Sequence, residues 1–234
     1  QRLKINYLAT DILETTKILE NEKTEEIVQE EYIPTDENKY ANVSFLSVDF
    51  SDLLKKNSDT VAWIKVNNTN VNYAVVQSTD NKYYLHHDFN KYSNMGGWIY
   101  GDYRDDFKYF GSNTIIYGHN LTNRTMFGSL IWCQKESWYK NEENLYIKIS
   151  TPTANTIWKI FSIYQIKPEI YYLKTYFEND SDHQEFLDTL KNRSIYNFHE
   201  ELTSDDKILT LSTCSDDGTK RAVIHAKMIK AEYR

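Results

Sequence analysis

Ile208-Leu209-Thr210-Leu211-Ser212-Thr213-Cys214 is an apolar run, and Arg221-Ala222-Val223-Ile224-His225 opens a second one. The polar stretch Ser215-Asp216-Asp217-Gly218-Thr219-Lys220 lies between them. Two such runs separated by a turn signal read as paired antiparallel strands. A hairpin of this kind sets Cys214 and Arg221 across one rim of a sheet. The two strands are expected at 207–213 and 221–229, and five further β-type runs lie upstream at 61–66, 71–77, 113–117, 144–150 and 156–166. Asn67-Asn68-Thr69-Asn70 is a turn between the first two. Helical spacing of Ile5, Leu8, Ile12 and Leu19, continued weakly by Ile27 and Val28, predicts a helix over 1–31. A short helix capped by Asp49 or Ser51 is expected next, then helices over 125–133 and 182–192. Irregularly spaced strands with few helices predict a mainly β fold with helical decorations, a barrel or a sandwich.

Composition narrows the functional classes. The chain has 234 residues with a net charge of −7, which disfavours a nucleic-acid binder with a broad basic face. The acidity is concentrated: residues 1–40 hold ten Asp/Glu against five Lys/Arg. No run of 18 apolar residues is present, so no membrane span is expected within these residues. The first residue is Gln1 rather than Met, which reads as a fragment whose targeting or anchoring segment lies upstream. Two cysteines do not make a disulfide framework. Six of the seven glycines (Gly96, Gly97, Gly101, Gly111, Gly118 and Gly128) fall within 33 residues, which marks that segment as the place where the chain turns tightly.

Two residues stand where a strand runs into a loop. Cys214 ends the 207–213 run, where a strand holds a side chain rigidly with its tip accessible, as a nucleophile needs. The thiolate is the reacting form, so it requires an activator. By itself Cys214 reads equally well as a buried strand-end residue. His119 follows Thr114-Ile115-Ile116-Tyr117-Gly118, and a histidine so placed can exchange protons near neutral pH. Alone it also reads as a hydrogen-bonded structural residue. Arg221 can stabilise a developing oxyanion or be a solvated strand end. Cys133 sits in the apolar Met126–Cys133 stretch and reads as core. His183 and His199 are expected to be exposed, and His225 to be packing. No metal motif is present: Asp102, Asp105 and Asp106 lack the spacing of a calcium loop.

Taken in order, Tyr117-Gly118-His119-Asn120, Thr210-Leu211-Ser212-Thr213-Cys214 and Arg221 resemble the sortases, cysteine transpeptidases of Gram-positive bacteria. The N-terminal helical arm, Asp49–Leu54 leading into Asp59–Ile64, the stretch Gln77–Leu85 and the helix near 182–192 resemble class B in particular. The resemblance covers roughly residues 1–232. It implies an eight-stranded β-barrel domain over 41–234 with a helical arm, 1–40, packed on it. It implies Cys214 as nucleophile, His119 as acid and base, and Arg221 as oxyanion donor; of the residues assigned to substrate binding, Asn81 and Leu85 would line the groove and Tyr117 and Ser212 would sit beside the catalytic residues.

The implied reaction cuts a C-terminal sorting signal after threonine, forms a thioester and transfers the protein to a peptidoglycan amine. No cofactor and no metal are implied. The implied partners are surface proteins bearing that signal and a wall precursor or cross-bridge amine, with no nucleic acid. The implied location is the outer face of a Gram-positive membrane, reached by an N-terminal anchor outside this chain. A hydrolase using the same three residues and releasing to water is the alternative, and a non-catalytic wall-binding β domain is a third reading. The Cys214–Arg221 loop is shorter than in the best-known class B members.

Overall fold

The Val-, Ile- and Thr-rich runs pair edge to edge until the sheet closes. The computed structural model describes residues 2–19, 40, 42–215 and 219–234. In chain order these form α1 (Arg2–Thr15), β1 (Ile18–Leu19), β2 (Ser47–Val48), α2 (Ser51–Lys56), β3 (Thr60–Val66), β4 (Asn72–Val76), β5 (Tyr100–Gly101) and β6 (Asn113–Asn120). There follow α3 (Glu136–Tyr139), β7 (Tyr146–Ser150), β8 (Ala154–Ile166), α4 (Asp180–Asn192), β9 (Ile208–Ser215) and β10 (Arg221–Tyr233). Short 3₁₀ helices span Gly128–Gln134, Glu142–Leu145 and Tyr171–Leu173.

Eight strands close a barrel in the order β10-β8-β7-β3-β4-β5-β6-β9. Closure leaves no edge strand within the barrel. The pairs β4·β5 and β6·β9 are parallel and the rest antiparallel. Seven of these strands follow the β-type runs of the sequence. The eighth, β5, is two residues long, too short for any alternation to register, yet it joins β4 to β6 through Val76↔Tyr100 and Tyr100↔Tyr117. Trp63, Trp98, Trp158, Ile64 and Phe127 are buried in the main core.

A second apolar cluster lies under α4. Phe186, Leu187 and Leu190 fall on one helical face and pack with Phe161, Tyr164, Tyr172, Ile208 and Val223. Each such side chain contributes about 2 kcal/mol on burial. Asn179 caps α4 by accepting from the Asp182 amide at 3.0 Å. This packing covers β9 from outside, so Ile208–Thr213 are buried without a break. The strand that carries Cys214 is thereby held from both faces.

Four local expectations change. The first helix stops at Thr15, where Thr15 and Thr16 hydroxyls bond the Asp11 and Ile12 carbonyls at 2.7 and 2.6 Å. Such bonds compete with helix continuation, and Ile18–Leu19 then pair with Ser47–Val48. Ile27 and Val28 lie outside the described residues. The N-cap position of α2 is Phe50, while Asp49 accepts from the Ser51 amide at 2.9 Å. Over 125–133, Met126 (φ 51°) has left-handed backbone, as does Arg124 (φ 65°) before it, and the turns that follow are 3₁₀ rather than α. His183 is buried, stacked on Phe177 with centroids 4.2 Å apart and donating from Nδ1 to the Ser204 carbonyl at 2.8 Å.

Candidate active site

Three neighbouring strands carry His119, Cys214 and Arg221 to one end of the barrel. In the parallel pair β6·β9, His119 and Cys214 are direct Cα partners. In the antiparallel pair β9·β10 the register runs from Lys227↔Ile208 to Val223↔Ser212. Cys214 lies two residues beyond the last paired position of β9 and Arg221 two residues before that of β10, so both stand at the same end of the pair. His119, Cys214 and Arg221 thus lie in that order on three adjacent strands. Gly118, one residue before His119, is required by packing: a Cβ there would come 2.5 Å from Ile99 Cδ1 and 2.8 Å from Phe127 Cγ.

Each flanking residue is held by a loop. His119 donates from Nε2 to the Leu85 carbonyl at 2.9 Å. That loop is itself fixed, since the Trp98 amide donates to the Tyr84 carbonyl at 2.9 Å. Arg221 donates to the Tyr172 hydroxyl at 3.2 Å and to the Glu169 carbonyl at 3.3 Å. The Tyr172 hydroxyl is also bonded to Ser212 Oγ at 3.0 Å. Tyr172 is completely buried, and Asn113 donates to its carbonyl at 3.2 Å and to that of Lys174 at 2.9 Å. So β9, the Tyr171–Leu173 turn and Arg221 form one connected polar arrangement.

The four residues assigned by resemblance to substrate binding divide into two groups. Asn81 donates to Asp102 Oδ2 at 2.9 Å and accepts from the Tyr103 amide at 3.0 Å. Tyr117 donates to the same Asp102 oxygen at 2.8 Å, its ring buried and tilted against Tyr100. Ser212 is buried against Tyr172. Leu85 is half-buried, and its polar contact to the site is its main-chain carbonyl on His119.

Three residues beyond the sequence reading complete these contacts: Asp102, Arg104 and Tyr172. Asp102 is fully buried and receives Arg104 in bidentate fashion, at 2.8 Å from Nε and 2.7 Å from a terminal nitrogen. Burial raises its carboxyl, but the Arg104, Tyr117 and Asn81 hydrogen bonds outweigh that and hold it below the ordinary range. Burial and the Asp102 charge push the Tyr117 phenol well up, so it stays protonated. Asp102 is thus a buried structural anion held by Arg104, Tyr117 and Asn81. Among the described residues no group of three His, Cys, Asp or Glu is placed to hold a metal.

The second cysteine behaves differently. Cys133 is fully buried in the Gly128–Gln134 turn, and burial pushes its thiol well above the usual value, which makes it a poor nucleophile. His225 is also fully buried, between Thr210 at 2.9 Å and Tyr164 at 2.8 Å, and burial lowers it to about 3. It is a packing residue.

Residues 64–229 match the model of the sortase domain family. Sortase B of Staphylococcus aureus (strain NCTC 8325 / PS 47) is 40% identical over 184 residues, which cover 77% of this chain and 75% of that protein. A solved S. aureus sortase B–substrate complex matches with a TM-score of 0.73 at 39% identity, over 77% of this chain and 84% of that one. Sortase B from Bacillus anthracis in complex with AAEK2 matches with a TM-score of 0.79 at 28% identity, over 98% of both chains. An eight-stranded closed barrel, a family match across most of its length and relatives of one class lead to one conclusion: the chain belongs to the sortases, class B, and is a sortase-type cysteine transpeptidase.

Proposed function

We propose that Cys214, His119 and Arg221 carry out a two-step acyl transfer. The observation that supports it is that they stand at the ends of three neighbouring strands, with His119 and Cys214 paired. In the first step the Cys214 thiolate attacks the backbone carbonyl of a threonine in a C-terminal sorting signal. Arg221 stabilises the oxyanion of the tetrahedral intermediate. The C–N bond breaks, the departing amine takes a proton from His119, and a thioester remains. In the second step an amine of cell-wall peptidoglycan attacks the thioester, gives its proton to His119, and the thiolate leaves.

In this reading Asn81 and Leu85 border the peptide groove, and Tyr117 and Ser212 lie buried beside the catalytic residues. Residues 41–234 form the catalytic barrel domain, and α1 belongs to an N-terminal arm on it, consistent with the burial of Ile5 and Ile12; the part of the assigned arm over 20–39 lies outside the described residues. The partners are surface proteins bearing the sorting signal and a wall amine. The enzyme works at the outer face of the membrane of a Gram-positive bacterium, held there by an anchor outside these residues.

The test is to incubate the enzyme with a panel of sorting-signal peptides and a range of amines, and to weigh the products. Joined peptide–amine products are expected. Hydrolysed peptide alone, whatever the amine, contradicts transfer and favours hydrolysis.

A further inference from the structure

One buried carboxylate lies beneath both loops that support the site. Asp102 accepts from Asn81 on the 80–85 loop, whose Leu85 carbonyl receives His119. It accepts from Tyr117 on β6, two residues before His119. Its bidentate partner Arg104 extends from it to donate to the Leu173 carbonyl at 3.1 Å, on the turn that carries Tyr172. Main-chain amides close the arrangement: Arg104 donates to Asp102 Oδ1 and Tyr103 donates to Asn81 Oδ1, both at 3.0 Å. Gln77 adds two bonds, to the Asp102 and Asp105 carbonyls at 2.7 and 2.8 Å.

We infer that the Asp102–Arg104 pair is a positioning element that ties the two walls of the peptide groove together and sets their spacing. The inference rests on the groove assignment proposed above. A surface ion pair would contribute little here. This one differs because Asp102 is wholly buried and accepts from Asn81, from Tyr117 and from Arg104, which itself reaches the Leu173 carbonyl. Removing one partner of such a set leaves polar groups unsatisfied and frees the segments they hold. The reacting residues have further supports besides the pair, Trp98 on the Tyr84 side and Asn113 on the Tyr172 side. Loss of the pair therefore alters peptide binding more than the chemical step.

The experiment compares wild type with Asp102→Asn and Arg104→Gln. The second variant, at a partly exposed position, guards against a fold lost in the first. Hydrogen–deuterium exchange is read at 80–85, 102–105 and 171–174, and peptide kinetics are read on the panel member that wild type cleaves best. Asp102→Asn is expected to raise exchange in all three segments together, and Arg104→Gln in 102–105 and 171–174. Both variants should raise KM by about tenfold with kcat changed less than about twofold. Alkylation of Cys214 by iodoacetamide should keep its wild-type rate and pH profile. A change confined to 102–105, or a fall in kcat with KM unchanged, overturns the inference. If wild type cleaves no peptide, the proposed function fails, while the exchange pattern still decides whether the pair joins the two loops.

Discussion

Gly97→Ala should damage stability and the site together. Gly97 has φ +54°, the left-handed region that an alanine enters only at a cost of about 1–2 kcal/mol. Its new Cβ would lie 2.5 Å from the Tyr84 carbonyl oxygen, 2.7 Å from that of Leu85 and 3.0 Å from His119 Cδ2. The first two are main-chain atoms, which cannot rotate aside, so overpacking adds about 1–3 kcal/mol. The sum is on the order of 2–5 kcal/mol, which for a domain of this size lowers Tm by roughly 4–20 °C. The displaced Leu85 carbonyl is the acceptor for His119 Nε2, so residual folded enzyme should also lose turnover. Gly111→Ala is the control, because nothing lies within 4 Å of a Cβ there. It should be neutral or stabilising by up to about 1 kcal/mol. Thermal unfolding and peptide cleavage on both variants make the comparison. Equal effects of the two alanines on Tm, or wild-type turnover in Gly97→Ala, would refute the reasoning.

Three further outcomes follow from the site. Arg221→Ala should raise the barrier to peptide cleavage by about 2.7 kcal/mol or more, a hundredfold in kcat/KM, as for loss of an oxyanion donor; near-normal turnover removes Arg221 from the chemistry. Cys133→Ala should cost about 1–2 kcal/mol in chemical denaturation through the buried volume lost, with kcat unchanged, and loss of activity in the folded variant contradicts its reading as core. Asp105, half-buried and beside Asp102, is pushed up to about 7, chiefly by loss of solvent around its carboxyl, while its Oδ2 still accepts from the Ile115 amide at 2.6 Å. A carboxyl raised on folding stabilises below its unfolded value near 4, and that contribution is lost as pH rises through 7. The ceiling is about 4 kcal/mol, discounted to about 1–2 kcal/mol for partial exposure. Asp105→Asn should match wild type in Tm at pH 4 and exceed it by a few degrees at pH 8. The same difference at both pH values would show that the carboxyl does not titrate in this range.

The barrel was legible where strands were long enough to carry their composition. Seven runs rich in Val, Ile and Thr became β3, β4, β6, β7, β8, β9 and β10. β5 was not, because Tyr100–Gly101 owes its strand geometry to its neighbours rather than to its own two residues. Helix limits failed where side chains or backbone handedness override spacing, at Thr15–Thr16 and at Arg124 and Met126. Strand-end positions made His119, Cys214 and Arg221 visible as candidates, and the parallel register then placed the first two side by side. The support beneath them was not visible. Asp102, Asn81, Tyr117 and Leu173 meet only through the barrel's closure, and no local spacing encodes that. Nor does anything in Tyr171-Tyr172 mark the second tyrosine, among 19, as the buried partner of Ser212 and Arg221.

The acyl-enzyme itself is the most direct test of the account. Wild type, Cys214→Ala and Cys133→Ala are mixed with the best-cleaved sorting-signal peptide and quenched in acid, and the intact masses are read, with the modified residue located by digestion. The account predicts a mass increase equal to the peptide's acyl fragment on Cys214 in wild type and in Cys133→Ala, discharged by added amine. It predicts neither adduct nor cleavage in Cys214→Ala, whose folded state is confirmed by circular dichroism. An adduct on any other residue, or cleavage by folded Cys214→Ala, would contradict it.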